Sequence, residues 1–204
     1  MQFIAKNLGT VDYQESWNAM KEFTENRQND TPDEFWLLQH NPVFTLGLAG
    51  KVEHLLNKNH AIPIIHSDRG GQITFHGHGQ IIIYTLIDLK RAKMSVRQLV
   101  EKLELGIINY LNTLEINSTS NRCAPGVYIQ GKKIASLGLK VRKNCTYHGI
   151  SFNVSMDITP FNYINVCGYE NLQVTQLKEY IEINNIEQIG NKLMDHIVHS
   201  IYQN

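Results

Sequence analysis

The 204-residue sequence has no excess of either charge, because 19 lysines and arginines face 19 aspartates and glutamates. A balanced chain carries no global field toward nucleic acid, an anionic membrane or a strongly acidic substrate, and it contains no basic aromatic motif of a nucleic-acid binder. No run of about 18 apolar residues occurs, so no membrane-spanning helix is expected. The N-terminus opens Met1-Gln2-Phe3-Ile4-Ala5-Lys6 and then turns polar. It lacks the apolar core of a signal peptide and the arginine-rich character of a transit peptide, so a cytoplasmic location is expected. Cysteine is scarce: Cys123, Cys145 and Cys167 are the three present. An odd number without CxxC or Cys/His spacing speaks against a disulfide framework or a structural zinc site. Repeats, low-complexity tracts and flexible linkers are also missing, and the length fits one domain over residues 1–204.

What is present reads as separate helices and strand clusters. Tyr13, Trp17, Met20 and Phe23 recur at helical spacing within Thr10 to Gln28, which predicts a helix packed on a sheet. Glu34 to His40 is an apolar run stopped by Asn41-Pro42, and Val43 to Gly47 resumes it, as two strands or a broken one. Pro63 to His66 reads as another short strand. Ser95-Val96-Arg97-Gln98 matches a capping box ahead of an apolar stripe through Val96, Leu99, Val100, Leu103, Ile107, Ile108 and Leu111, so a long helix starts there. Strands are expected at Gly126 to Ile129, Lys133 to Val141 and Thr146 to Val154, with a hairpin turn at Gln130-Gly131-Lys132. A last helix spans about Ile186 to Ile201. This segregation predicts an α+β fold with a mixed or antiparallel sheet and packed helices.

The stretch Arg69-Gly70-Gly71-Gln72-Ile73-Thr74-Phe75-His76-Gly77-His78-Gly79-Gln80 holds four glycines in twelve residues and runs into Ile81-Ile82-Ile83-Tyr84. Such density weakens an ordinary element. It implies either a glycine-rich hairpin or a place where a ligand lies against bare backbone. Cys167, followed by Gly168, sits in better context for a nucleophile than Cys123, which is loop or core, or Cys145, which follows the polar turn Arg142-Lys143-Asn144. A thiol needs a cationic neighbour or a base to become a nucleophile at neutral pH. Lys132, Lys133, Lys140, His76, His78 and His148 are the candidates. Lys133 opens the apolar segment Lys133 to Leu139, although a lysine at a strand start is ordinarily a solvated one. His76 and His78 lack a third metal ligand, so no metal site is expected.

Taken together these segments resemble the lipoyl(octanoyl) transferase family. The resemblance rests on Arg69 to Gln80, on Ala124-Pro125-Gly126-Val127-Tyr128 through Lys133-Ile134-Ala135-Ser136-Leu137-Gly138, on Thr146-Tyr147-His148-Gly149-Ile150-Ser151-Phe152-Asn153-Val154, and on Cys167-Gly168-Tyr169. It runs in order from about Gln39 to Gln176. It implies the α+β catalytic fold shared by biotin and lipoate protein ligases. It implies that Cys167 carries the acyl group and that Lys133 pairs with it. It further implies that Arg69, Gly70, Gly71, Gln72, Ile73, Thr74, Phe75, His76, Ser136, Leu137, Gly138, Gly149, Ile150 and Ser151 contact the acyl substrate. Two positions depart from the family pattern: His78 and Val166 stand where proline is common, which bears on the rigidity of two loops and not on a reacting group.

The implied reaction moves an octanoyl group from octanoyl-acyl carrier protein to a lysine ε-amine on lipoyl domains of 2-oxoacid dehydrogenase complexes and the glycine cleavage H protein. It requires no cofactor, since the donor thioester is already activated, and a monomer is expected. Oxyanion donors are expected among the backbone N–H groups near Gly70-Gly71 or Leu137-Gly138, with His76 and His148 as positioning residues. Two other readings stay open: an ATP-dependent lipoate or biotin protein ligase on the same fold, which needs no Cys167, and a non-catalytic module that binds acyl carrier or lipoyl domains.

Overall fold

The computed structural model describes residues 2–57 and 61–203; Met1 and Asn204, the two ends of the expected domain, lie outside the described residues. A seven-stranded sheet is built from β1 (Phe3–Val11), β2 (Asp33–His40), β6 (Gln80–Leu86), β10 (Cys145–Asn153), β9 (Lys132–Arg142), β8 (Gly126–Ile129) and β7 (Thr119–Ser120), in that spatial order. A three-stranded sheet holds β4 (Ile64–His66), β3 (Val43–Leu46) and β5 (Ile73–His76). β1 runs parallel to β2 and β3 parallel to β4, and the remaining pairs are antiparallel. Three helices cover the large sheet: α1 (Tyr13–Asn26), α2 (Val96–Asn112) and α3 (Ile186–Tyr202).

The alternation of strand side chains sorts the core into layers. Phe35 and Leu37 of β2 and Ile81 and Ile83 of β6 face α2 and α3, where they meet Leu99, Leu103, Ile107, Leu193 and Ile197. Trp36, Leu38, Ile82 and Tyr84 face the other way and pack around Met20 of α1. Both faces are covered, which is why β2 and β6 read as continuous apolar runs and not as alternating ones. The helices start where side chains satisfy their free N–H groups. Asp12 accepts from Gln14 and Glu15, Ser95 forms the expected capping box with Gln98, and Asn185 accepts from Gln188.

Two features depart from the sequence reading. β1 was unexpected: its side chains are mostly exposed, so it carries no buried period of two, and its pairing with β2 comes from backbone bonding at the sheet edge. The glycine-rich stretch is not a hairpin. β5 pairs with β3 in the small sheet and β6 with β2 and β10 in the large one, so Gly77-His78-Gly79 is a crossing between sheets. Asn41-Pro42 makes the opposite crossing, from β2 to β3.

Gly79 shows why that crossing requires glycine. Its φ is +83°, and a Cβ there would lie 1.9 Å from the Ser155 carbonyl oxygen. That oxygen cannot retreat easily, because the neighbouring Val154 and Ser155 N–H groups both bond the Gly79 carbonyl. Gly79→Ala is expected to cost about 2–4 kcal/mol of stability through overpacking and a disfavoured φ, read as a lowered urea midpoint with an unchanged slope. The exposed His78→Ala should leave the midpoint within about 0.5 kcal/mol of the parent.

Candidate functional site

The two sheets meet along a cavity of ≈ 360 Å³, at the lower end of the size range of small-ligand pockets. Of the residues expected to contact an acyl chain, thirteen line it: Arg69, Gly70, Gly71, Gln72, Ile73, Thr74, His76, Ser136, Leu137, Gly138, Gly149, Ile150 and Ser151, together with Cys167 and Lys133. Phe75 does not. Alternation along β5 turns it to the opposite side, where it is 3% exposed and packs against Phe44 and Phe161.

Lys133 is the most constrained charged residue of the site. It is 1% exposed, and its Nζ donates to Cys167 Sγ at 3.1 Å and to the Pro125 carbonyl at 3.0 Å. The ammonium also lies 5.2 Å from the centre of the Tyr128 ring, within cation–π range. Burial pushes its pKa down, but the charge and hydrogen bond of Cys167, with a further contribution from Tyr128, outweigh burial and hold it above the ordinary lysine value. The solvated-surface reading of this lysine is thereby excluded.

Bare backbone makes room for the amine. Gly126 has φ +149°, and a Cβ there would stand 2.8 Å from Lys133 Cε and 3.1 Å from Nζ. The Gly126 N–H donates to Glu104 Oε1 at 2.8 Å, anchoring this strand start to α2. The lysine backbone is equally engaged: its N–H donates to Gln173 and its carbonyl accepts from Thr175, each at 2.9 Å. One residue thus fixes both the thiol's electrostatic partner and the chain that follows the thiol.

Cys167 sits in a short 3₁₀ turn, Val166–Gly168, with φ 55° and ψ 20°, a left-handed conformation uncommon for a residue other than glycine. Val166, where the family commonly has proline, is buried at 3%. Residues 54–57 back the turn: the Asn165 N–H donates to the His54 carbonyl at 2.8 Å, and the Asn165 side-chain amide donates to His54 Nδ1 at 3.4 Å. The His54 ring also stands 3.3 Å from where a Cβ on Gly168 would be. His54 escaped the sequence reading because no local pattern couples it to a turn more than 110 residues later.

The glycine-rich wall is framed by Arg69. Its guanidinium is spent on the protein, donating to the Thr45 hydroxyl and carbonyl and to the Gly70 and Gln72 carbonyls. Burial pushes its pKa down, opposed by Tyr13, Cys167 and Tyr84. The Gly70 N–H donates to the Leu139 carbonyl, so it is not a free oxyanion donor. Leu139 therefore faces away from β10, and by the period of two so does Leu137, which leaves Gly138 bonded into the β10 ladder. A Cβ on Gly138 would lie 3.0 Å from the Gly70 carbonyl oxygen, so the two backbones meet almost in contact.

Buried aromatic and imidazole groups line another part of the cavity. Tyr13 stacks on His76 and His148 and meets His40 edge-on. Gln80 donates to the Phe75 carbonyl and to Asn153 Oδ1, so its own oxygen is the acceptor for His76 Nδ1–H at 2.8 Å. Burial holds His76 well below the ordinary histidine value and lowers His40 to about 4. Burial likewise lowers His148, against the upward pull of Asp68. For Asp68 itself burial raises the pKa, but hydrogen bonds from His148, Tyr147 and Trp17 prevail and bring it to about 2. Burial thus favours the neutral form of all three imidazoles. His148 Nδ1 has no partner among the described residues, and none of those residues form a group of three or more His, Cys, Asp or Glu able to hold a metal ion.

The model of the lipoyl protein ligase A/B catalytic domain family matches residues 12–198, which include the Cys167–Lys133 pair and the cavity between the two sheets. The octanoyltransferase of Vibrio campbellii is 50% identical over 197 residues, covering 97% of this chain and 89% of that protein. The octanoyltransferase of Nitrosomonas europaea is 51% identical over 196 residues, with 96% of each covered. The chain belongs to the octanoyltransferases of this family and is a transferase. Among solved structures, the bi-partite lipoate protein ligase of Thermoplasma acidophilum shares the fold with a TM-score of 0.81 at 14% identity, covering 99% of this chain and 84% of that one. The biotin protein ligase of Aquifex aeolicus does so at 0.58 and 15%, covering 98% and 69%.

The buried imidazoles give a testable acid sensitivity. His40 titrates near 6.5 when unfolded and near 4 when folded, so between those values the unfolded chain binds more protons. The stability it contributes is present above about 6.5 and is lost as pH falls toward 4, about 3 kcal/mol over the window. Urea midpoints measured from pH 7 to pH 4.5 should fall, and His40→Gln should flatten that slope.

Proposed function

We propose that this chain transfers an octanoyl group from the thioester of an acyl carrier protein to the ε-amine of a lysine on a lipoyl domain, holding it in between as a thioester on Cys167. The observation that carries this reading is the 3.1 Å contact between Lys133 Nζ and Cys167 Sγ at an acyl-sized cavity. A buried ammonium favours the thiolate over the thiol. The thiolate attacks the donor carbonyl, the carrier's C–S bond breaks and the departing thiolate takes a proton from the Lys133 ammonium, and the acceptor amine then attacks the new thioester, so that one transfer becomes two. No ATP is needed, because the acyl group arrives activated.

The second step needs a base, and Lys133 is placed to become one. While Cys167 is anionic, its charge and hydrogen bond are the chief influences raising the lysine. Acylation removes that charge and leaves burial, which lowers it. The neutral amine then accepts the proton released by the attacking lysine. The negative oxygen of each tetrahedral intermediate is met by the Gly71 or Leu137 backbone N–H. The seven carbons beyond the carbonyl contribute up to about 5 kcal/mol if fully buried. A methylene more or less changes discrimination by only about 1–3 kcal/mol, so neighbouring chain lengths are accepted at reduced rates. Lipoyl domains of 2-oxoacid dehydrogenase complexes and the glycine cleavage H protein are the acceptors in this reading.

Peptide mass spectrometry after mixing the enzyme with octanoyl-acyl carrier protein should find the octanoyl adduct on Cys167, absent in Cys167→Ala. Transfer that depends on ATP and persists in full in Cys167→Ala would establish the ligase reading instead. Lys133→Met should reduce single-turnover transfer to a lipoyl domain by at least about 10²-fold. Binding of both proteins without turnover by the parent enzyme would reduce the site to a docking module.

A further inference from the structure

The exposed segment that carries Cys123 and the turn that carries Cys167 face one another at the cavity. The Tyr169 hydroxyl, two residues beyond Cys167, donates to the Cys123 carbonyl at 2.8 Å. The Pro125 carbonyl, two residues beyond Cys123, shares the Lys133 ammonium with Cys167 Sγ. Cys123 and Cys167 both line the cavity, and Cys123 is exposed to solvent. Cys145, the third cysteine, is buried at 6% in the sheet and is not a cavity residue.

We propose that Cys123 is a modification site: it resolves an oxidised Cys167 by forming a Cys123–Cys167 disulfide. The ammonium that favours the Cys167 thiolate for acyl transfer also favours its reaction with a hydroperoxide, since oxidation follows thiolate character and access. The thiolate attacks the nearer peroxide oxygen and the O–O bond breaks. The peroxide is reduced to water or an alcohol, with a proton taken from solvent, and Cys167 becomes a sulfenic acid. The Cys123 thiolate then attacks the Cys167 sulfur, the S–O bond breaks, and hydroxide leaves to be protonated as water. Two thiols have lost two electrons and two protons to one peroxide, with no other redox partner.

Formation of the bond requires the two Cα atoms to come within about 7 Å. The contacts through Tyr169 and Lys133 hold the two segments side by side at the cavity that both cysteines line. The disulfide consumes the nucleophile before it reaches the sulfinic state, from which a thiol reductant does not recover it. It forms at the cavity and closes off acyl entry until a dithiol reverses it. This inference rests on the thiolate–ammonium reading of Cys167 and Lys133.

The experiment titrates reductant-free enzyme with hydrogen peroxide and follows octanoyl transfer together with non-reducing peptide mapping. In the parent enzyme, activity should fall as a Cys123–Cys167 linked peptide appears, and dithiothreitol should restore both. Cys123→Ser should lose activity to the same oxidant, accumulate sulfinic acid on Cys167 and fail to recover with dithiothreitol. Absence of the linked peptide from inactivated parent enzyme, or full recovery of Cys123→Ser, overturns the proposal. The linked peptide is read in the parent protein, so the outcome does not depend on how the variant folds. The octanoyl adduct measured on untreated enzyme reports separately on the transfer reading, so the two fail independently.

Discussion

A lysine ammonium almost wholly withdrawn from water is the constraint around which the site is arranged. Removing such a charge from solvent is costly unless each donor finds an acceptor. Lys133 meets the requirement with a sulfur from the Cys167 turn and with a carbonyl and an aromatic face from the start of β8, Pro125 and Tyr128. Both segments make an accommodation. Gly126 gives up a side chain so that the amine fits, Cys167 takes a left-handed backbone, and the Pro125 carbonyl turns inward. The backbone of Lys133 then stitches residues 173–175 to β9. Chemistry and fold are joined in one residue.

Most of the elements were legible because their determinants are local. The Ser95-Gln98 reciprocal cap and the apolar stripe behind it identify α2 with no tertiary information, and the turn at Gln130-Gly131 separates β8 from β9 because both residues take positive φ. The edge strand β1 carries no such mark. The glycine-rich segment misleads for a related reason: two strands close in sequence look like a hairpin, and nothing local says that Gly77-His78-Gly79 crosses from one sheet to another. Phe75 lies outside the cavity lining for a related reason, since a motif names a run of residues while Phe75 packs into the small sheet's own core against Phe44 and Phe161.

The pairing of Cys167 with Lys133 was legible from the resemblance, and what holds the two residues was less so. Arg69 belongs to a family motif, yet its guanidinium is occupied entirely by the wall it stands in. Its contribution is the shape of the Gly70-Gly71 backbone. The buried imidazoles of His40, His76 and His148 cluster around Tyr13, and burial favours their neutral form. His54 and Asp68 are visible only once distant segments are brought together.

The cavity lies along the seam between two sheets that have separate hydrophobic interiors. One wall comes from the glycine-rich loop and β5, the other from β6, β9 and β10, while the cysteine–lysine pair stands on β9 and the turn beyond the sheet. The small-sheet wall of the cavity and the cysteine–lysine contact therefore belong to different parts of the fold. A change in how the small sheet seats on the large one alters the depth of the cavity and leaves the sulfur–amine contact where it is, so in the proposed reaction the chain length accepted and the bond-making step depend on different parts of the fold.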